Sequence, residues 1–227
     1  FDGGAGAGRF SDVLATMGAR VVALDMSIAI DACRDTTRVH GNSVQCVQAS
    51  LYAIPLRSSA FDAVHCAGVI QHTPDPEKTM RAMPRLLKPH APLGYNFYEM
   101  TLSRRLQIVR AALRLITPYI PQGVLLKLCL TMVIVLFPIT RVISRIRFLR
   151  YGIRFLPICA SHQPELCRNQ QLEWTLLDTF DWYNPRYDQP QRHVRVAEIL
   201  AEEGLEDIES GPGIARGRRP SGETTAA

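Results

Sequence analysis

The chain of 227 residues predicts an α/β fold: a doubly wound, mainly parallel sheet with a helical insertion before its C-terminal strands. Three observations predict it. The segment FDGGAGAGRFS runs an apolar–acidic pair straight into three alternating glycines. Over the first hundred residues, short β-branched runs alternate with helix-period segments. After Tyr98 a long apolar and basic stretch abandons that alternation. A hydrophobic content of 47% allows one large buried core with an insertion, and excludes a disordered or low-complexity chain.

The glycine segment reads as a strand end turning into a helix. Gly4, Gly6 and Gly8 can take positive φ and admit a ligand close to the backbone, while a helix starting near Arg9 aims its first N–H groups at the same place. The dinucleotide pattern G-x-G-x-x-G fails in both registers, meeting Arg9 from Gly4 and Ser11 from Gly6. What fits is D-x-G-x-G-x-G, Asp2 through Gly8.

A helix over residues 9–17 stops at Gly18, and RVVALD gives a second strand ending at Asp25. A carboxylate at that strand tip, roughly 20 residues past the glycine turn, stands where it can accept hydrogen bonds from both hydroxyls of a ribose. Ser27 caps a helix to about Arg34, and SVQCVQA reads as a third strand. FDAVHC is a buried fourth strand, followed by the polar loop QHTPDPE. Asp75 and Glu77 suit the positive end of the next helix, whose core positions are Met80, Met83, Leu86 and Leu87, with Pro89 as its stop.

On these residues the chain resembles the class I S-adenosylmethionine-dependent methyltransferases. Asp2 through Gly8 is similar to their motif I. The segment from Ser50 through I-P-L, FDAVHC, QHTPDPE and LLKP resembles the methyltransferases of ubiquinone and menaquinone biosynthesis, which read "LPF", "FD-x-V", "HHTPDPE" and "LLKPGG". The match covers roughly the first hundred residues and implies a seven-stranded methyltransferase sheet whose first strand is shortened here, the natural N-terminus being expected upstream. It implies S-adenosylmethionine as cofactor and S-adenosylhomocysteine as product. Asp2 would face the methionine amino end, and Gly4, Gly6 and Gly8 would admit the cofactor. Asp25 would hold the ribose and Ser50 would meet the adenine edge. Ala67 and Gly68 would border the methyl group. His72 is the candidate catalytic base; a structural role in its loop is the alternative.

Two positions depart from the family. Ser50 replaces an acid, and His90–Ala91 replaces a Gly–Gly turn, which costs about 1 kcal/mol if the turn shape is kept. These departures support a rival reading, a non-catalytic or degenerate cofactor-binding or membrane-associated interaction protein.

Beyond the core at residues 1–100, residues 101–170 read as a helical, apolar and basic insertion. TLSRRLQIVRAALRLITP is a basic amphipathic helix, and the run over residues 124–139 is apolar, interrupted by Lys127 and ended by Pro138. A bilayer-crossing helix, a lipid-facing surface helix and a buried helix all remain open for it. A span is disfavoured by length and by Lys127, which would cost about 2.5–3.5 kcal/mol in hydrocarbon. The expected placement is over the acceptor pocket or on a lipid surface.

Residues 171–211, with LDTFDWYNPRYD and the helix ending at Gly204, resemble the C-terminal part of the same methyltransferases. Residues 212–227 read as a polar tail. Cys159, His162 and Cys167 have irregular spacing for a metal, and none is assigned. The six cysteines show no C-x-x-C pair, which suits reduced thiols and a cytoplasmic protein, peripheral at a membrane if the insertion faces lipid. The net charge is +5, but its positive residues cluster between Arg104 and Arg154 and at Arg216, Arg218 and Arg219. No nucleic-acid partner is expected; the acceptor is a small molecule or lipid.

Overall fold

The computed structural model describes residues 1–146, 148, 152–153 and 155–221. They form two compact units, Phe1–Glu99 with Tyr187 onward, and Met100–Arg186.

The first unit is a seven-stranded sheet. In chain order its elements are β1 (Asp2–Gly3), α1 (Arg9–Thr16), β2 (Val21–Asp25), α2 (Ala29–Thr36), β3 (Val44–Gln48), β4 (Val64–Ala67), α3 (Pro76–Ala82) and β5 (Pro92–Asn96). The strands run β3-β2-β1-β4-β5-β7-β6 across the sheet, and β1 to β5 are parallel. Helices α1, α2 and α3 return the chain to the same sheet end between β1 and β2, β2 and β3, and β4 and β5, while β3 reaches β4 through a segment without a helix. On β2, Val21 and Ala23 pack with Ala15, Ile30 and Cys33 of α1 and α2. Leu24 joins the opposite, larger core with Ile70, Met80, Met83, Leu86 and Leu93.

Helix α3 begins as its residues dictate: the Asp75 carboxylate accepts the Lys78 N–H at 3.0 Å, and Pro76 opens the first turn. It ends at Ala82, ahead of the Pro89 stop expected from sequence, because Pro84 starts a 3-10 turn over Pro84–Leu86. Ser27 stands one residue before the N-cap of α2; its Oγ donates to Asp25 and accepts from the Ala29 N–H. At His90 the turn shape of the missing glycine survives: His90 has φ +63°, its N–H donates to the Arg219 carbonyl, and Ala91 bonds back to Lys88.

The last segments correct the expected boundaries. In the second unit lie α4 (Leu102–Arg105), α5 (Ile108–Leu113), α6 (Gln122–Ser144) and α7 (Arg168–Tyr183). The expected single basic helix is thus two short ones, and α6 runs on through Pro138, whose ring is exposed. Helix α7, expected with the C-terminal part of the sheet domain, belongs to the second unit. It packs Leu172, Leu176, Phe180 and Tyr183 against the buried stripe of α6, formed by Leu125, Cys129, Val133 and Phe137.

The chain returns to the first unit through α8 (His193–Glu202), β6 (Glu206–Gly211) and β7 (Ile214–Arg218). Ile214–Arg218, placed by sequence in the polar tail, inserts antiparallel between β5 and β6. Only the small residues Ala215 and Gly217 of β7 turn inward, so it lacks the apolar signature of a strand. Residues 222–227, the end of that tail, lie outside the described residues.

Candidate cofactor site

The sites assigned from sequence converge on the carboxyl ends of β1 to β4, where parallel strands leave their helices' first turns around a common crevice. Gly4 and Ala5 donate their N–H groups to the Leu24 carbonyl of β2 at 2.7 and 3.0 Å, which anchors the glycine turn. All three glycines have positive φ, for different reasons. A Cβ on Gly4 would stand 2.3 Å from Val69, and one on Gly8 would stand 2.8 Å from the Cys33 sulfur, so both serve close packing. A Cβ on Gly6 would meet nothing within 4 Å, so Gly6 borders open space.

Asp25 is joined to that turn directly. Its Oδ2 accepts the Gly6 N–H at 2.9 Å, and its Oδ1 accepts from the Ser27 N–H and hydroxyl at 2.8 and 2.7 Å. With Oδ1 already taking two donors and Oδ2 one, Oδ2 keeps an acceptor site for a ribose hydroxyl, and a second hydroxyl would take the place of a Ser27 donor. Helix α1 starts at left-handed Gly8 without a side-chain cap, leaving its first N–H groups directed at the turn.

Asp2 is 2% exposed and bound from two sides: the Ser11 hydroxyl donates to Oδ2 at 2.6 Å, and His65 Nδ1 stands 3.2 Å from Oδ1. Neither partner was assigned from sequence. Ser11 lies on the buried side of α1, and His65 reaches Asp2 because β1 and β4 pair in that register. An isolated serine in a helix and a histidine in a strand carry no local signal of this contact.

Ser50 lies two residues beyond β3, and its Oγ accepts the Tyr52 N–H at 3.1 Å, keeping its hydroxyl proton for donation. Ala67 ends β4, and Gly68 follows with φ +73° while its N–H donates to Asn96 of β5. His72 sits in the next turn, Ile70–His72. Its Nδ1–H donates to the Tyr187 carbonyl at 3.0 Å, and its ring meets Tyr98 edge-on. Because a carbonyl only accepts, the proton of the neutral ring is on Nδ1 and the basic lone pair on Nε2. Tyr52 ties the loop down, its hydroxyl donating to the Asp75 carbonyl and accepting the Asp75 N–H.

Residues 1–93 match the family model described as "Methyltransferase domain". Over these residues the chain is similar to the class I S-adenosylmethionine-dependent methyltransferases. The ubiquinone biosynthesis O-methyltransferase of Xanthomonas oryzae pv. oryzae is 36% identical over 108 residues, 45% of this chain and 42% of that protein. The protein of the same name from Xylella fastidiosa is 32% identical over 110 residues, 46% and 42% of the two chains. The chain therefore spans about two fifths of the length of these curated relatives. For the fold, the chain aligns over 98% of its length with an O-methyltransferase family protein from Burkholderia thailandensis, covering 51% of that chain at TM-score 0.57 and 15% identity. It aligns over 97% of its length with a SAM-dependent methyltransferase from Methanosarcina mazei, covering 91% of that chain at TM-score 0.52 and 13% identity. These two likenesses concern the fold.

Proposed function

We propose that the chain transfers the methyl group of S-adenosylmethionine to a small-molecule or lipid acceptor and releases S-adenosylhomocysteine. The observation that carries the reading is the Gly6–Asp25 pair: an open glycine position and a ribose-type carboxylate held together at the carboxyl end of the sheet. The residues present fit the cofactor. Asp25 would take the ribose hydroxyls, Asp2 would supply negative charge near the amino end, and Ser50 would offer a hydroxyl to the adenine edge. Ala67 and Gly68 would wall the methyl end. The cofactor, when bound, supplies a sulfonium-activated methyl carbon.

The protein's part is chiefly alignment, since an in-line displacement depends most on the approach of donor and acceptor. His72 is the residue we propose as the catalytic base, with its Nδ1–H held on the Tyr187 carbonyl. The acceptor class follows the small-molecule setting of the relatives' names, and a cytoplasmic location is part of the proposal.

Isothermal titration with S-adenosylhomocysteine tests the reading. Saturable heat is expected, with an affinity that falls about tenfold or more in Asp25→Ala. No heat from the folded protein would instead leave the degenerate, non-catalytic reading in place.

A further inference from the structure

Between residues 100 and 164 the sequence contains ten lysines and arginines and no aspartate or glutamate. Within this stretch lies α6, 23 residues with a mean hydropathy of 2.2 over its most apolar window, only 28% of which is buried. The stripe that α6 buries, from Leu125 through Phe137, is satisfied by α7. Leu126, Leu130, Ile134, Val135, Ile139 and Val142 remain exposed, between 42% and 61%. Large apolar surface left open by an otherwise packed helix pair marks an interaction face.

We propose that this face of the second unit docks, in the plane of the interface, on a bilayer containing anionic lipid. Charge selects the partner. A stretch carrying ten cations and no acid is complementary to a negative lipid surface, and attraction to headgroups adds to burial of the apolar face. Lys127 and Arg145 are exposed at the two ends of α6, where they can reach headgroups. Arg147, Arg150 and Arg154 add charge by sequence and lie outside the described residues. Arg110 and Arg114 are engaged inside the unit, over the Trp182 ring and on the Trp182 and Pro185 carbonyls. They contribute long-range charge rather than headgroup contacts.

The packing of α7 decides between lying on the bilayer and crossing it. Helix α6 is long enough to span, but its buried stripe is bound to a helix that carries Glu173, Asp178 and Asp181. Crossing would strip α6 from α7 or draw those carboxylates into hydrocarbon. Lying in the interface keeps the stripe packed and immerses only the opposite face. This inference stands on residues 100–186 alone and does not depend on the methyl-transfer reading.

The test is co-sedimentation of the full chain with vesicles of phosphatidylcholine, alone or mixed with phosphatidylglycerol. Binding to the mixed vesicles is expected, at least about tenfold above the neutral ones and weakened by salt. The double variant Leu130→Asp/Ile134→Asp, changed only on the exposed face, should lose binding while keeping its circular dichroism and its heat with S-adenosylhomocysteine. Lys127→Glu/Arg145→Glu should lose the preference for phosphatidylglycerol. Sedimentation with neither vesicle, undiminished binding by the aspartate variant, or equal binding to both lipids would each overturn the proposal. Alkaline carbonate should release the protein from membranes; retention in the pellet would overturn the in-plane placement in favour of a span. Titration with S-adenosylhomocysteine is a separate readout, so failure to dock and failure to bind cofactor are told apart.

Discussion

The Gly6 N–H donates to Oδ2 of Asp25 at 2.9 Å, linking the turn after β1 to the tip of β2 across 19 residues of chain. One carboxylate thereby shapes the glycine turn and faces the space beside it. Cofactor affinity and local order should consequently be lost together when Asp25 is altered.

Asp25→Ala removes the acceptor for Gly6 and Ser27 and the proposed ribose anchor. Charge-assisted bonds of this kind contribute roughly 1.5–3 kcal/mol, so affinity for S-adenosylhomocysteine should fall about tenfold or more. Calorimetry on a variant shown to be folded is the check. Unchanged affinity would remove Asp25 from the site.

The glycines separate packing from ligand access. Gly6→Val enters space free of protein atoms, at the cost of a left-handed φ of +54°, and should abolish cofactor binding while a cooperative melt persists. Gly4→Ala should lower the melting temperature more, because its Cβ would collide with Val69 at 2.3 Å and overpacking costs about 1–3 kcal/mol. Normal binding by Gly6→Val would reduce the turn to a linker.

His90 holds a glycine's conformation with a Cβ attached. His90→Gly should relieve that strain and, net of the glycine's larger unfolded-state entropy, stabilise the protein by about 0.5–1 kcal/mol. Urea titration reads the change. A loss of stability would mean that the imidazole makes a contact worth more than the backbone strain.

Burial, with the Asp181 charge second, holds the Asp178 carboxyl above the usual carboxylate range. The folded state then binds that proton more tightly than the unfolded chain, so its contribution to stability falls as pH rises from the ordinary carboxylate value through the raised one. Asp178→Asn should raise the melting temperature near about pH 7 and change it little near about pH 3. Equal shifts at both pH values would show that ionisation of Asp178 carries no such penalty.

Features that depend on neighbouring residues were legible in the sequence: the glycine turn, the acid ending β2, the Asp75–Pro76 start of α3 and its buried methionines. Glycine φ, helix caps and hydrophobic period act over a few residues, and parallel strand direction follows where a helix joins successive strands. Tertiary structure alone decided the Ser11–Asp2–His65 contact, which exists because β1 and β4 align in one register. It also decided the tautomer of His72, through a carbonyl 115 residues away. β7 hid behind inward residues too small to look apolar, and only pairing with β5 and β6 gives it an identity. For α6, sequence specified an apolar helix but not its buried stripe. That depended on which of its faces α7 covers, a choice made by packing between segments distant in the chain.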